Sequence, residues 1–589
     1  MPAARRRTVA PFLLWGSVLL LVLGATCVMS AGSQRLSDDP VLLLSGSFVD
    51  VKDDGVVVEG SNATIVAGGT YVLRGVLQNG RITVDVGKDE TVQLTLEGAT
   101  LSSESGAAIY IVSADETRIV MSEGTSNRVT GGGSAVDAGG RSDADKAAIF
   151  SADDLWIGGS GSLEVESSAG NGIQCKDDLE VMGGIVSVVA SGDGIRARDS
   201  IVIDASRVTV VASGDGLRAS NDEDPERGTM VIESGVIDVT AGEDGLQAET
   251  DLIVRGGEIV ISAGGGSAHA TETRRDPWGR WMGDSDGPSQ KGMKAGVELL
   301  ISGGAIEIDS ADDGIHSDDL MIIDGGTLSI SSGDDGIHAD TQLVINGGDI
   351  VIAESYEGIE SSVITLNGGT IRLSSRDDGI NAAGGDDGLP GGGRPGWGRF
   401  ETTGTHQLFI HGGWVTIEAG GDGIDVNGPI TMTAGTVIVH GPTTSMNGAL
   451  DYSGSFDLSG GVLVALGSAG MAQAPSATSA QNSVAITFGA TLAAGQLIHI
   501  ESADGDELVT VAPKKAVQSA VISLPDLTGG EGYTIYTGGT STGTVTDGLY
   551  TNGSYAPGTE WASFTVESTV TSVRAGGSAF PPGGRRRDG

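Results

Sequence analysis

The sequence contains few cysteines, few aromatic residues and few basic residues. Only Cys27 and Cys175 occur among its 589 residues, so a disulfide framework is excluded. Phe, Trp and Tyr make up 4% of the chain, which leaves aliphatic side chains to form a core. Lys and Arg total 34 against 78 Asp and Glu, giving a formal net charge of −44. Because nucleic acid is a polyanion, this charge excludes nucleic acid as a partner and favours cations.

The sequence also lacks helical periodicity, whereas glycine is abundant and follows a repeat. A five-residue phrase returns along the chain: an acidic residue, Gly, an apolar residue, any residue, then a small residue. It occurs at 193–197, 215–219, 244–248, 313–317, 335–339, 357–361, 378–382 and 422–426. Its glycines Gly314, Gly336 and Gly358 are 22 residues apart. A fixed period of this size predicts one supersecondary unit stacked many times.

Gly-Gly pairs keep the same spacing and separate alternating segments of Ile, Val, Leu and Thr. Alternation predicts strands and Gly-Gly predicts turns, so we predict a right-handed parallel β-helix with one coil per repeat. Cys175 lies at the small, inward position of a coil, which predicts a buried free thiol. The predicted organisation is a signal peptide or anchor (1–31), an N-terminal β cap (32–96), the β-helix (97–470) with loop inserts (264–290 and 384–405), a C-terminal antiparallel β domain (482–570) and a disordered tail (571–589).

The N-terminus indicates export. Arg5, Arg6 and Arg7 precede an apolar run at 12–24, which is typical of a secretory signal with cleavage after Ala31. Lipid attachment at Cys27 and an uncleaved anchor remain alternatives. We therefore expect a secreted or cell-surface protein.

Acidic residues recur at one position of the coil and should stack about 5 Å apart. Such carboxylates repel one another unless they are hydrogen-bonded, protonated or bound to a hard cation, and Ca²⁺ is the expected cation outside the cell. The candidate metal ligands are Asp193, Asp215, Asp244, Asp312, Asp313, Asp334, Asp335, Glu357, Asp377 and Asp378. The alternative is that each Asp caps a turn by accepting backbone N–H groups.

A second row of residues follows the apolar position and is predicted to point outward. Arg196, Arg218, Lys294, His316 and His338 belong to it. This row either lines a groove that binds a sugar acid or forms a solvated face with screened charges. Trp278, Trp281 and Trp397 lie in the inserts, where they suit sugar stacking. The alternative is that the inserts are flexible glycine-rich excursions.

Several segments carry a resemblance to a known family. They are 106–110, 147–155, 448–452, 470–475 and 538–543, together with the Asp-Gly-Ile-His coils. From about residue 45 to 570 the chain resembles bacterial secreted β-helix proteins that bind acidic sugars, such as polygalacturonate, with Ca²⁺. The resemblance implies a fold similar to that of pectate lyases, binding without cleavage, and Ca²⁺ sites among the coil carboxylates. The Trp- and Arg-rich inserts depart from that pattern.

Three functions follow from these patterns. The first is Ca²⁺-dependent binding of acidic polysaccharide by a monomer with no obligatory protein partner, since a bridging cation lets an acidic protein hold an acidic glycan. The second is a polysaccharide lyase in which Arg196, Arg218 or Lys294 removes a proton. The third is a structural adhesion solenoid. The regular acidic rows favour binding over catalysis.

Overall fold

A computed structural model describes residues 39–132, 146–270, 287–382 and 406–574, and the regular secondary structure of these residues is almost entirely β-strand. Within these ranges the one helical element is a 3₁₀ turn at Ser267–His269. None of the described helices is long and apolar enough to cross a membrane. The predicted signal (1–31), the insert at 384–405 and Trp278, Trp281 and Trp397 lie outside the described residues, as does most of the predicted tail.

Three ladders of parallel strands make up most of the structure. Each repeat of the chain contributes one strand to each ladder in turn. The first ladder contains Asn62–Ile65, Arg81–Asp85, Ile109–Ser113, Ile149–Ser151, Ile173–Cys175, Ile195–Ala197, Leu217–Ala219, Leu246–Ala248, Met293–Ala295, Ile315–Ser317, Ile337–Ile345, Ile359–Leu366, Ile380–Ala382, Ile424–Val426 and Asp451–Tyr452. Each strand pairs in parallel with the corresponding strand of the next repeat, as Ile195 does with Leu217.

The second and third ladders complete each repeat. The second contains Glu116–Met121, Asp154–Gly159, Asp178–Met182, Ser200–Asp204, Thr229–Ile232, Leu252–Val254, Glu298–Ile301, Leu320–Ile323, the second halves of Ile337–Ile345 and Ile359–Leu366, Gln407–Ile410, Ile430–Met432 and Phe456–Leu458. The third contains Ser126–Gly131, Ser162–Ser167, Ile185–Ala190, Ser206–Ala212, Gly235–Ala241, Glu258–Ala263, Ala305–Ser310, Thr327–Ser332, Asp349–Glu354, Thr370–Ser375, Trp414–Ala419, Thr436–His440 and Val462–Gly467.

The parallel pairing begins within the stretch predicted as a cap. Val41–Gly46 pairs with Gly69–Leu77, which pairs with Val92–Ser102, all in parallel. Phe48–Asp50 and Val56–Glu59 add antiparallel hairpins to this end. The first repeats and the capping hairpins therefore share the same residues.

Antiparallel strands follow the last repeat. Val517–Ser523 pairs with both Val462–Gly467 and Ser483–Leu492, and Val570–Arg574 lies beside Ser483–Leu492. A six-stranded sheet contains Thr544–Thr546, Leu549–Thr551, Glu507–Val511, Ile498–Ser502, Gly532–Thr537 and Thr559–Thr565, and a two-stranded sheet contains Thr540–Ser541 and Tyr555–Ala556. This region has its own apolar cluster around Ile500, Val511 and Ile535.

A continuous aliphatic core extends along the ladders, as expected for a chain with so few aromatic residues. In the first ladder the apolar and small positions of the phrase both point inward, so Ile195 and Ala197 are fully buried. Cys175 occupies the same inward position as Ala197 and is a buried free thiol, as predicted. The prediction of an all-β chain dominated by parallel strand pairing is confirmed.

Two glycine positions explain why the repeat needs glycine. The second residue of a Gly-Gly pair has a left-handed backbone, with φ of +100° at Gly326, which side chains rarely adopt. The glycine of the phrase is needed for a different reason: a Cβ on Gly314 would lie 2.5 Å from the Gly336 carbonyl oxygen. Consecutive repeats therefore approach each other closely beside the acidic residue of the phrase.

Candidate functional site

Two rows of side chains extend along the first ladder and hold most of the predicted site residues. The acid row is the position two residues before the buried apolar residue of each strand, and the outer row is the position one residue after it. In chain order the acid row is Ala107, Ala147, Asn171, Asp193, Asp215, Asp244, Lys291, Asp313, Asp335, Glu357, Asp378, Asp422 and Gly448. The outer row is Tyr110, Phe150, Gln174, Arg196, Arg218, Gln247, Lys294, His316, His338, Glu360, Asn381, Asp425 and Asp451.

Carboxylates of the acid row bond to the backbone of the next repeat. Oδ1 of Asp193 accepts the Asp215 N–H at 3.2 Å, and Oδ1 of Asp313 accepts the Asp335 N–H at 3.1 Å. The same bond is made by Asp215, Asp244, Asp335, Asp378 and Asp422. The backbone-capping interpretation is thus confirmed for one oxygen of each residue. What the second oxygen contacts determines whether a cation is needed.

In the earliest acidic repeats, arginines of the outer row neutralise the second oxygen. Arg196 Nη1 lies 3.3 Å from Asp193 Oδ2, and Arg218 Nη1 lies 3.0 Å from Asp215 Oδ2. Arg218 also contacts Glu249 at 3.0 Å. Burial and the carboxylates of Asp244 and Asp193 still raise the pKa of Asp215 to about 7. These acidic residues therefore have internal cationic partners.

In the middle of the row, a largely buried lysine neutralises the second carboxylate oxygen. Lys291 occupies an acid-row position, and its Nζ contacts Asp313 Oδ2 and lies 3.4 Å from Asp312 Oδ1. Burial alone would lower the pKa of Lys291, but Asp313 and Asp312 hold it well above its ordinary value. Burial would raise the pKa of Asp313, but Lys291 and His316 hold it well below its ordinary range. Lys291 was absent from the predicted site, although the weaker copy of the phrase at 291–295 places it in this row.

The two histidines occupy the outer row as predicted, but neither is exposed to solvent. His316 Nδ1 lies 2.9 Å from Asp313 Oδ2, and its Nε2 lies 2.9 Å from Asp318 Oδ1. His338 is fully buried beside His316, with ring centroids 4.8 Å apart. Burial lowers the pKa of His338 to about 3, despite the carboxylate of Asp313. Carboxylates of the same repeat lie against His316, and Asp313 of the preceding repeat lies near His338, so the histidines contribute to packing and to charge balance within the row.

After the histidines, the acid row no longer has a described cationic side chain beside each carboxylate. Asp335 is fully buried, and its Oδ1 accepts the Glu357 N–H at 3.0 Å, while no described hydrogen-bond donor reaches Oδ2. Burial, Asp334 and Glu357 raise the pKa of Asp335 well above its ordinary range. One oxygen from each of Asp312, Asp313 and Asp334 lies within 4.8 Å of the others. The Lys291 Nζ lies 3.4 Å from Asp312 Oδ1 in this group.

The last acidic repeats bring three carboxylates together, and we call them the acidic cluster: Asp378, Asp422 and Asp425. One oxygen from each lies within 4.8 Å of the others. Burial, followed by Asp377 and Glu357, raises the pKa of Asp378 to about 9. Burial, followed by Asp422 and Asp451, raises the pKa of Asp425 to about 7. Among the groups that shift these two pKa values most, every charged neighbour is another carboxylate.

Of the acidic cluster, only Asp378 was among the predicted ligands. Asp422 opens the final copy of the phrase, so the same rule would have selected it, whereas Asp425 lies at the outer-row position of that copy. Asp377, which was predicted, accepts a hydrogen bond from the Tyr356 hydroxyl at 2.5 Å. The register brings Asp451 next to Asp425 in the outer row, which the sequence alone did not indicate.

The acidic cluster fits a hard divalent cation. All its donors are carboxylate oxygens, which Ca²⁺ prefers and accepts at flexible geometry. Asp378 and Asp422 each use one oxygen for a backbone N–H, so the other remains for a metal. All three residues are partly exposed, so water or a ligand carboxylate could complete the coordination shell. The predicted ligands Asp193, Asp215 and Asp313, by contrast, already contact cationic side chains.

Comparisons with known proteins each match less than half of the chain. Residues 59–336 match the model of a family described as carbohydrate-binding domain-containing protein. A protein of that description from Acetivibrio thermocellus is 33% identical over 137 residues, which cover 23% of this chain and 48% of the relative. The chain thus spans about half the length of the curated relative it matches.

A solved structure titled as a polysaccharide lyase-like protein from C. thermocellum, in a gadolinium derivative, is also similar. The sequence identity is 28%, the TM-score is 0.37, and the likeness covers 38% of this chain and 92% of that one. The family match supports the predicted resemblance to carbohydrate-binding proteins over residues 59–336. That segment includes Lys291 and the arginine–aspartate pairs but ends before the acidic cluster.

Proposed function

We propose that the protein is a secreted or cell-surface binder of acidic polysaccharide, built on a right-handed parallel β-helix, in which Ca²⁺ at the acidic cluster bridges protein and glycan carboxylates. The observation that carries this proposal is the convergence of Asp378, Asp422 and Asp425 with further carboxylates as their main charged neighbours. Such a group requires either protons or a cation.

The charge of the chain connects the metal with the ligand. A protein of net charge −44 repels a polyuronate at long range. A divalent cation held by two or three protein carboxylates keeps coordination positions for oxygen ligands from outside. Asp378, Asp422 and Asp425 would hold the ion, which would supply positive charge for a sugar carboxylate. The match of residues 59–336 to a carbohydrate-binding family supports a glycan as the ligand.

A retention assay on polygalacturonate tests this function. We expect the full mature chain to be retained with Ca²⁺, to be released by chelator, and to produce no absorbance of unsaturated sugar. The triple variant Asp378→Asn, Asp422→Asn and Asp425→Asn should lose Ca²⁺-dependent retention. The matched control Asp504→Asn, Asp506→Asn and Asp526→Asn removes the same charge from exposed positions of the C-terminal region and should bind normally.

The outcomes separate the competing functions. Rising absorbance would establish the lyase and direct attention to Arg196, Arg218 and Lys294. Equal retention of the two triple variants would exclude the acidic cluster as the bridge. Calcium binding without retention on any uronate polymer would leave a structural role for the ion.

A further inference from the structure

Toward the N-terminal end of the first ladder the two rows lack carboxylates, and basic side chains lie beside them. A cavity of about 310 Å³ is lined there by Lys146, Gly170, Asn171, Gln174, Lys176 and Arg196. The three basic side chains come from three successive repeats, since Phe150, Gln174 and Arg196 are neighbours in the outer row. Three cations around one cavity are unusual in a chain with more than twice as many acidic as basic residues.

The acid row explains why positive charge prevails at this cavity. Its position is filled by Ala147 in one repeat and by Asn171 in the next, so two successive repeats lack the carboxylate. The nearest acid-row carboxylate, Asp193, is occupied: its oxygens contact Arg196 at 3.3 Å and the Asp215 N–H at 3.2 Å.

The cavity offers an excess of hydrogen-bond donors. Oδ1 of Asn171 accepts the Asp193 N–H at 2.9 Å, so the amide nitrogen is the part of that side chain that can donate to a ligand. Gln174 carries a second amide group at the wall of the cavity. Two ammonium groups and a guanidinium accompany these amides, and charge-assisted bonds to a carboxylate are the strong ones. A ligand that matches this set carries one carboxylate and several hydroxyl groups.

We propose that this cavity is a calcium-independent subsite for a single uronate unit, with Lys146, Lys176 and Arg196 holding its carboxylate and Asn171 and Gln174 binding its hydroxyl groups. The inference rests on the proposed function for its choice of ligand and adds a second point of attachment. The cavity lies inside the segment that matches the carbohydrate-binding family, unlike the acidic cluster.

The two sites are far apart on one face. Eight strand-to-strand steps of the first ladder separate Arg196 from Asp425, or about 38 Å at the usual strand spacing. A single sugar can therefore occupy only one site, whereas a polyuronate can occupy both and gain from the linkage. In the presence of chelator, monomer binding thus reports on the cavity alone, whereas polymer retention with Ca²⁺ reports on both sites.

Calorimetric titration with galacturonate in the presence of chelator tests the subsite, with galactose as the neutral probe and sulfate as a simple anion. We expect galacturonate to bind and galactose to bind at least tenfold more weakly. The double variant Lys146→Met and Lys176→Met should weaken galacturonate binding at least tenfold. Both lysines are exposed, so the variant should fold. The control Lys52→Met and Lys514→Met, which also removes two exposed lysines, should bind as the parent does.

Several results would overturn the inference: no galacturonate binding, equal binding of galactose, displacement by equimolar sulfate, or an unaffected double variant. The triple variant of the acidic cluster separates the two proposals. If it binds galacturonate in chelator but loses Ca²⁺-dependent retention on the polymer, both proposals hold. If polymer retention depends on Ca²⁺ but no galacturonate binds, only the subsite fails. If galacturonate binds but polymer retention is the same with Ca²⁺ and with chelator, only the calcium-bridge proposal is contradicted.

Discussion

Two stretches of the acid row neutralise their closely spaced carboxylates in different ways. From Asp193 to Asp313 the chain supplies its own cations, first Arg196 and Arg218 and then the buried Lys291. At Asp378 and Asp422 the turn and the backbone bond are the same, but the neighbours are carboxylates. An aspartate at a repeated turn therefore does not by itself indicate a metal. The side chains that adjacent repeats bring within reach decide whether an external cation is needed.

Replacing Lys291 should have the largest effect on the free energy of unfolding, because Asp313 would then lack its internal cation, like the carboxylates of the acidic cluster. Lys291→Met leaves Asp313 buried without its main cationic partner, and breaking a buried pair in this way costs about 3–5 kcal/mol. Urea unfolding with chelator should show this loss, and added Ca²⁺ should recover part of it. Lys294→Met removes the same charge from the half-buried outer row and should cost under about 1 kcal/mol. Equal losses in the two variants would contradict the assignment of Lys291 as an internal counter-ion.

The acidic cluster should make the metal-free protein sensitive to alkaline pH. The folded pKa values of Asp378 and Asp425, about 9 and about 7, lie above the ordinary value of 3.8, so folding favours their protonated forms. Their stabilising contribution is complete below about pH 4 and is lost as the pH rises through the range from 7 to 9. In chelator, the free energy of unfolding should therefore decrease between pH 5 and pH 9 through this cluster.

Calcium should oppose that trend, because it binds the ionised carboxylates. A hundredfold excess of Ca²⁺ over its dissociation constant adds about 2.7 kcal/mol to the free energy of unfolding. The gain should be large at pH 9 and small at pH 5, where protons compete for the same oxygens. The triple variant Asp378→Asn, Asp422→Asn and Asp425→Asn should lose the gain and show a shallower pH trend, because Asp215 and Asp335 also have raised pKa values. A parent-like profile in that variant would place the calcium elsewhere.

The exposed arginine pair should have the smallest effect. Arg196 and Asp193 are joined by a partly exposed contact of 3.3 Å, and such pairs contribute about 0–1 kcal/mol. Arg196→Gln should therefore change the midpoint of urea unfolding only slightly. Arg218→Gln should cost more, because Arg218 contacts two carboxylates and Asp215 is almost fully buried. The expected order of losses is Lys291, Arg218, Arg196, and the reverse order would show that burial does not control these pairs.

The sequence predicted the strand class and the register of the rows because both follow from a strict period. The positions of Arg196 above Arg218 and of His316 above His338 are those that the spacing implies. It did not predict the burial of the histidines, since that depends on Asp313, Asp318 and Asp335, whose carboxylates lie beside the rings within the same repeats. It also missed Lys291, because the acidic position of the phrase is there occupied by the opposite charge.

The cavity at the other end was missed for a related reason. Lys146, Lys176 and Arg196 share no phrase position, so no repeat pattern selects them together. They converge because two turns and one strand from three successive repeats meet where the acid row lacks a carboxylate. Only coordinates bring together residues that belong to different rows. Trp278, Trp281 and Trp397, which the sequence favoured for sugar stacking, remain predictions.

The spacing of Leu246 and Met293 has a consequence for how such a chain can change over generations. These residues are neighbours in the first ladder although 47 positions separate them, whereas Ile315 and Ile337 are neighbours at 22. A long addition that leaves a turn and returns to it preserves the pairing on both sides. A single added residue inside a strand would exchange its inward and outward faces. The fold therefore tolerates long insertions at its turns, such as a whole additional domain, but not the insertion of a single residue within a strand.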